Sequence, residues 1–175
     1  MKVENKDNQA GKQIVILLTK YSDLFSKLIC GISKNKYSHA SICIDEQEEI
    51  FYSFNKRGFV IEKPKKRFPK TRVAGSAIIR MRVPESTYDL IKKEVECFVE
   101  KRKTYSYSKF GVFLCILGIP HKFEDKYFCS QFVAELLQKT GAARLYKKEC
   151  LFFPGQFIDK MECLFGEKQI VYNVI

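Results

Sequence analysis

The chain has 175 residues, 46% of them apolar and 14% aromatic, which supports a globular domain with a core and excludes a disordered chain. Lys and Arg number 31 against 20 Asp and Glu, and the net charge of +11 favours anionic partners such as nucleic acid, anionic lipid headgroups or acidic cell-wall polymers. The sequence contains no zinc-finger, helix-turn-helix or ribonucleoprotein motif, so we expect no specific nucleic-acid binding. We predict one domain over residues 1–175, in which 1–12 is a flexible N-terminal segment.

Strands fill most of the first half of the chain. The run "QIVILLT" at 13–19 is continuously apolar, as in a buried strand. The stretch "SDLFSKLICGIS" at 22–33 predicts a short helix with Ser22 as its cap. The apolar face of this helix comprises Leu24, Phe25, Leu28 and Ile29. Further strands are predicted at 36–46, 49–54, 58–63 and 75–83, and a solvated basic loop at 63–72.

Helices dominate the second half of the chain. Pro84 begins a helix over "ESTYDLIKKEVECFVEKRK", and a second helix follows "KYF" at 126–128 and is closed by Gly141. We predict a short helix over "PGQFIDKMECLF" at 154–165 and a final strand over "QIVYNVI". A helix, a run of strands and then helices indicate an α+β domain with a mainly antiparallel sheet packed against helices.

Cysteine usage and apolar runs bear on where the protein works. The seven cysteines are widely and irregularly spaced and form no CxxC pair, which favours reduced thiols in a cytosol over a disulfide framework. The charged start "MKVENKDNQAGKQ" lacks the apolar segment of a signal peptide. The most apolar run, "FGVFLCILGI" at 110–119, is half the length of about 20 residues that a membrane-spanning helix needs. We expect it to be buried or to line a pocket, with an interfacial patch and peripheral membrane contact as the alternative. The sequence thus predicts a cytoplasmic protein without a transmembrane segment.

Cys129, at the start of the second predicted helix, has two interpretations. It begins an apolar stripe that continues through Phe132, Val133, Leu136 and Leu137, so it points inward, as a structural cysteine does. It also lies in the first turn, where unpaired N–H groups and the helix dipole stabilise a thiolate. On the helix alone, the structural interpretation is favoured.

A histidine supplies the second half of a possible dyad. His39 alternates with Ser41 and Cys43 on one face of a predicted strand, and a histidine facing a helix-start cysteine is the arrangement of a thiolate–imidazolium pair. The other histidine, His121, is predicted at a surface or pocket rim. A zinc site built from the residues Cys115, His121, Cys129 and Cys150 has no supporting spacing, so we predict no metal and no cofactor.

The motifs "YSHASI", "IFYSF" and "YFCSQFVAELL" resemble those of the permuted branch of the NlpC-type papain-like superfamily, the YiiX-like proteins, in which the histidine strand precedes the cysteine helix. Further similarity lies in "LLTKYSDLFSKLI" and "FPGQF", so that the resemblance covers about residues 13 to 160. It implies a circularly permuted papain-like fold.

The resemblance also implies a mechanism. Cys129 corresponds to the nucleophile that forms an acyl-enzyme and His39 to the general base, with backbone N–H groups at the helix start, notably that of Cys129, holding the oxyanion. The implied activity is that of a cysteine hydrolase or acyltransferase acting on an amide, ester or thioester. Its substrate would be a small molecule, a peptide or a lipid, and the basic charge suits an anionic one.

The third catalytic residue departs from the family pattern, because the strand after the histidine strand offers no carboxylate. Ser53 or Asn55 could orient His39, and Glu62 on the next strand could do so if the sheet brings it near. Tyr127 could donate near the oxyanion, although packing is the favoured role, and Gln131 should face away from the apolar stripe. The missing carboxylate supports the alternative of a non-catalytic ligand- or lipid-binding domain that retains the fold.

Overall fold

The centre of the fold is a six-stranded antiparallel sheet in the order β10-β5-β1-β2-β3-β4. The structure is a computed structural model that describes residues 11–22, 24–34, 36–64 and 73–174. The strands of this sheet are β1 Lys12–Tyr21, β2 His39–Cys43, β3 Phe51–Asn55, β4 Gly58–Glu62, β5 Val73–Val83 and β10 Gln169–Tyr172. Residues 1–10 of the predicted N-terminal segment and 65–72 of the predicted basic loop lie outside the described residues.

Four helices and two small strand pairs accompany the sheet in the described ranges. The helices are α1 Leu24–Ser33, α2 Glu85–Glu100, α3 Lys109–Ile116 and α4 Cys129–Lys139. β6 Ser106–Tyr107 pairs in parallel with β7 Lys126–Tyr127, and β8 Ala143–Leu145 pairs antiparallel with β9 Met161–Cys163. Short 3₁₀ turns form at Glu149–Leu151 and Pro154–Phe157. The predicted α+β class and antiparallel sheet are confirmed.

The main core lies between one face of the sheet and helices α2 and α4. Buried members include Ile16 and Leu18 of β1, Ala40 and Ile42 of β2, and Phe132 of α4. The opposite face of the sheet has a smaller buried cluster of Val15, Leu17, Cys43, Phe51 and Ile78. β1 is therefore buried on both faces, which explains why its sequence is continuously apolar rather than alternating.

Helix α4 ends as the sequence predicts. Gly141 has φ +71°, a left-handed conformation that only glycine adopts readily. The N–H groups of Gly141 and Ala142 bond to the carbonyls of Gln138 and Leu137 and so satisfy the last turn. The helix is thus held by its cap at one end while its other end begins at Cys129.

Two predictions about apolar segments are wrong in part, and the expectation of a buried or pocket-lining run at 110–119 holds for one side of its helix. Leu24 and Leu28, expected on the core face of α1, are 84% and 54% exposed, and it is Ile29 that is buried. The run 110–119 buries Val112 and Cys115 but leaves the other side of α3 in solvent. The helix predicted over 154–165 is a single 3₁₀ turn followed by β9, because this stretch pairs with β8. No helix among the described residues is long and apolar enough to cross a membrane.

Candidate active site

The position of Cys129 is fixed by what comes before helix α4. The β6–β7 pairing and the bond from the Ser108 N–H to the Tyr127 carbonyl tie the entry segment to the chain before α3. Phe128 is extended, with φ −114° and ψ 164°, and provides no side-chain cap for the helix. Cys129 therefore follows directly as the first helical residue, where the N–H groups of the first turn have no intrahelical partner. Its sulfur accepts a hydrogen bond from one of these groups, the N–H of Ser130.

His39 is the first residue of β2, a strand inside the sheet. Its backbone pairs with Thr19 of β1, and the preceding Ser38 N–H bonds to the Thr19 carbonyl at 3.0 Å. The side chain is only 10% exposed. A buried position on an internal strand gives the imidazole one fixed location opposite the start of α4.

The His39 ring lies beside the Cys129 sulfur, close enough for hydrogen bonding and charge to displace the pKa of both groups. On the other side of the ring, Nε2 lies 3.1 Å from Oε2 of Glu62, whose side chain is 4% exposed. Since Nε2 is engaged by the carboxylate, Nδ1 is the nitrogen that faces the sulfur. Cys129, His39 and Glu62 thus form a chain of sulfur, imidazole and carboxylate.

The surroundings of Cys129 favour its thiolate. Burial raises the pKa of the thiol, but the hydrogen bond to His39, the positive charge on its ring and the N–H groups of Ala40 and Ser130 lower the pKa below its ordinary value. These groups supply to the buried sulfur the hydrogen bonds that water would otherwise give. As a thiolate, the sulfur would therefore be stabilised by two backbone N–H groups and the His39 ring.

The surroundings of His39 favour its imidazolium form. Burial alone would lower the pKa of the ring, but the charge of Glu62 and the hydrogen bonds to Cys129 and Glu62 raise it well above its ordinary value. A buried carboxylate is costly unless it is paired with a cation and hydrogen-bonded. The pKa of Cys129 is thus lowered and the pKa of His39 raised, which are the directions that a thiolate–imidazolium pair requires.

Glu62 reaches His39 obliquely across the sheet. Phe51 of β3 pairs with Cys43 on one side and with Glu62 on the other, so these residues share a face of the sheet. In the ladder, Glu62 is level with Cys43 rather than with His39, so the contact between Glu62 and His39 is not one between ladder partners.

The other candidates for orienting His39 lie elsewhere. The Ser53 hydroxyl is buried and donates to the Ala40 carbonyl at 2.6 Å, so it anchors the backbone beside His39 and not the ring. Asn55 accepts the Arg57 N–H at 2.9 Å through Oδ1, in the turn between β3 and β4. Of the three candidates, Glu62 is the one that contacts the imidazole.

Tyr127 and Gln131 also have packing or local roles. The Tyr127 ring lies 5.1 Å from Phe54 and 5.4 Å from Phe98, within a cluster of aromatic side chains. Gln131 is buried and donates to Glu135 at 2.9 Å, one turn further along α4. The packing role expected for Tyr127 is therefore the one its contacts describe.

Two tyrosines that the sequence did not single out lie beside the dyad. Tyr21 packs against His39 with 5.7 Å between ring centroids, and Tyr107 lines a small pocket that also contains Cys129. Burial strongly raises the pKa of Tyr107, with a further contribution from the Cys129 charge, so its phenol remains a hydrogen-bond donor. A tyrosine in a run of aromatic residues, "YSYS", carries no pattern that would have marked it as a site residue.

The pocket beside Cys129 is apolar on most sides. Its lining includes Ile29 of α1, Val112 and Cys115 of α3, and Phe128 and Phe153. His121 lies away from this lining, exposed and packed on Phe123 with 4.4 Å between ring centroids. Across the described ranges, no three His, Cys, Asp or Glu side chains form a group able to hold a metal ion.

Comparison with known proteins gives no match, either to a family model or to a curated protein. The chemistry argued for this chain therefore depends on the geometry of its own residues.

Proposed function

We propose that the protein is a cysteine hydrolase or acyltransferase of permuted papain-like, YiiX-related type, acting on an amide, ester or thioester. The observation that carries the proposal is the buried contact chain from the Cys129 sulfur through His39 to Glu62. The opposite pKa displacements of Cys129 and His39 support it, because a nucleophile and its acid–base partner need them.

Acylation would begin with attack of the Cys129 thiolate on the carbonyl carbon of the substrate. As the tetrahedral intermediate collapses, the bond to the leaving group breaks and the His39 imidazolium gives its proton to the departing amine, alcohol or thiol. N–H groups at the start of α4 and the Tyr107 phenol, which shares the pocket with Cys129, are the donors available for the oxyanion.

Deacylation would use the same residues in reverse. The neutral His39 removes a proton from water, or from an acceptor nucleophile in an acyltransferase, and the resulting oxygen or nitrogen attacks the thioester. Release of the product regenerates the Cys129 thiolate and the His39 imidazolium. Glu62 remains a carboxylate throughout and stabilises the imidazolium formed in each half-reaction.

The non-catalytic alternative drew its support from the lack of a carboxylate on β3. Glu62 of β4 provides a carboxylate at hydrogen-bonding distance from His39, which removes that support. A binding domain would have no use for a buried thiolate, whose maintenance requires the His39 charge and two N–H groups.

The proposal is tested by the rate of Cys129 alkylation by iodoacetamide as a function of pH, followed by mass spectrometry in the wild type and in His39→Ala. Since a thiol of ordinary pKa, about 8.5, is only about one part in 300 thiolate at pH 6, loss of the ring should slow alkylation there by on the order of 10²-fold. The exposed Cys97 provides an internal reference, and His121→Ala is the matched control.

Two outcomes would count against the dyad. One is a Cys129 that reacts only near the ordinary pKa of a thiol in the wild-type protein. The other is an equal loss of reactivity in His39→Ala and His121→Ala. Either result would leave the binding-domain alternative as the better description.

A further inference from the structure

Helices α1 and α3 each present a row of apolar side chains to solvent, and we call these rows, with the two residues after α3, the apolar rim. Seven of the exposed large apolar side chains of the described residues belong to it: Leu24, Leu28, Ile32, Phe110, Phe113, Leu117 and Ile119. The spacing of 24, 28 and 32, and of 110, 113 and 117, places each set along one line of its helix. The buried apolar residues of these helices, Ile29 in α1 and Val112 in α3, lie outside the two rows. The exposure is therefore a regular feature of both helices rather than a single stray side chain.

The apolar rim borders the candidate active site. The buried sides of α1 and α3 meet through Ile29, Val112 and Cys115, and this cluster continues to Phe128, the residue before the nucleophile. The same residues line the pocket that contains Cys129. The two helices that carry the rim therefore also contribute to the lining of the pocket that contains Cys129.

The charge of these segments is of one sign. Residues 24–44 and 101–123 contain no Asp or Glu, although the whole chain has 20. Exposed lysines flank the rim at Lys27, Lys34 and Lys36 around α1 and at Lys109 at the start of α3. Lys122, by contrast, is paired with Glu135 and Glu149. The rim thus combines apolar rows with exposed lysines.

From this combination we infer that the apolar rim is a docking surface for an anionic lipid bilayer. Helices that bind in the interfacial plane insert Phe and Leu side chains below the headgroups while lysines contact anionic lipids. Seven aliphatic and aromatic side chains would contribute nothing to binding the phosphates of nucleic acid, and α1 and α3, with 10 and 8 residues, lie on a bilayer rather than across it. Docking in this way would bring the two helices that line the pocket of Cys129 to the membrane surface.

Sedimentation with vesicles tests the inference. Wild-type protein should bind vesicles of phosphatidylcholine with 30% phosphatidylserine and bind pure phosphatidylcholine more weakly, and the difference should shrink as salt is raised. The double variant Phe110→Ser/Phe113→Ser should bind the anionic vesicles at least about tenfold more weakly. The matched control is Leu164→Ser/Phe165→Ser, which changes two side chains of 42% and 41% exposure outside the rim and should bind like the wild type. Because all four residues are exposed, the variants should fold, and an unchanged denaturation midpoint verifies this.

The outcome is independent of the chemistry of Cys129, since Cys129→Ser should bind vesicles like the wild type even if the enzymatic proposal fails. The inference is overturned if anionic vesicles are not bound at low salt, or if the rim and control variants bind equally. It is also overturned if the wild type instead forms concentration-dependent dimers that the rim variant abolishes, because the rim would then be covered by a second copy of the chain.

Discussion

The substitution Glu62→Gln isolates the role of the carboxylate beside His39. Glutamine has nearly the same shape as glutamate and can still hydrogen-bond to Nε2, so the change removes the negative charge and leaves the packing in place. The contact is 3.1 Å long and both side chains are buried, which means that solvent screening is small. The variant therefore measures what the charge of Glu62 does to the ring.

The expected effect is a lower pKa for His39. A hydrogen bond involving a charged group contributes about 1.5–3 kcal/mol, against about 0.5–1.5 kcal/mol for a neutral one. Loss of the charge therefore destabilises the imidazolium relative to the neutral ring by about 1–1.5 kcal/mol, which lowers the pKa of His39 by about one unit. Because Cys129 and His39 titrate as a pair, the neutral thiol–imidazole form should gain up to about tenfold over the thiolate–imidazolium form.

An NMR titration that follows the imidazole ring protons measures this change in the pKa of His39 directly. The chain has two histidines, so His39→Ala assigns both sets of signals, and those of His121 should superimpose in the wild type and the variant. Glu48→Gln is the matched control, because it removes a partly buried carboxylate that is paired with Arg80, away from the dyad. The reasoning would be refuted if His39 titrated at the same pH in Glu62→Gln as in the wild type. A similar shift in both glutamine variants would also refute it.

Three further outcomes are expected. If the Tyr107 phenol donates to the oxyanion, Tyr107→Phe should slow the burst of p-nitrophenol from a p-nitrophenyl ester by on the order of 10²-fold. The alkylation rate of Cys129 should stay unchanged. An unchanged burst would show that Tyr107 only lines the pocket. Ser53→Ala leaves the buried Ala40 carbonyl without its donor and should lower the free energy of unfolding by about 1–3 kcal/mol in urea, without moving the pH profile of Cys129 alkylation. Phe132→Ala should lower the free energy of unfolding by about 3–5 kcal/mol, because this residue is only 1% exposed. Phe113→Ala should have little effect, because Phe113 is 51% exposed. Equal urea denaturation midpoints for the two variants would contradict the described core.

The parts of the fold that the sequence predicts well are those in which one periodicity is sustained. The apolar run predicts β1, and the apolar stripe together with Gly141 predicts α4 and its end. Both signals lie within the element itself, so the sequence is enough to recognise them. The stretch 154–165 also has helical spacing, but its pairing with β8 overrides local propensity. The apolar row of α1 predicts a core face, but Leu24 and Leu28 are exposed. Helical periodicity shows that an apolar row exists, and it does not show what covers that row.

Some residues of the candidate site can be predicted from the sequence, and others depend on contacts that only the fold creates. Cys129 and His39 can be found from their element types, a helix start and a strand, together with the resemblance in motif order. Glu62 could be named only conditionally, because its contact with His39 is not one between ladder partners and so cannot be read from the strand register. Tyr107 could not be found, because its place in the pocket depends on how the β6–β7 pairing folds the chain back.

The missing side-chain cap at Phe128 has a consequence for the lifetime of an acyl-enzyme. In the proposed thiolate form, Cys129 would itself accept the Ser130 N–H and so take the place of a side-chain cap for α4. A thioester sulfur is uncharged and a poor acceptor, so acylation would leave the N–H groups of Ala40 and Ser130 without their anionic partner, whereas His39 keeps its contact with Glu62. Each such bond to a charged group is worth about 1.5–3 kcal/mol. If the proposed reaction takes place, the acylated state would thereby be raised in energy relative to the free protein, and its breakdown would return the acceptor for the Ser130 N–H.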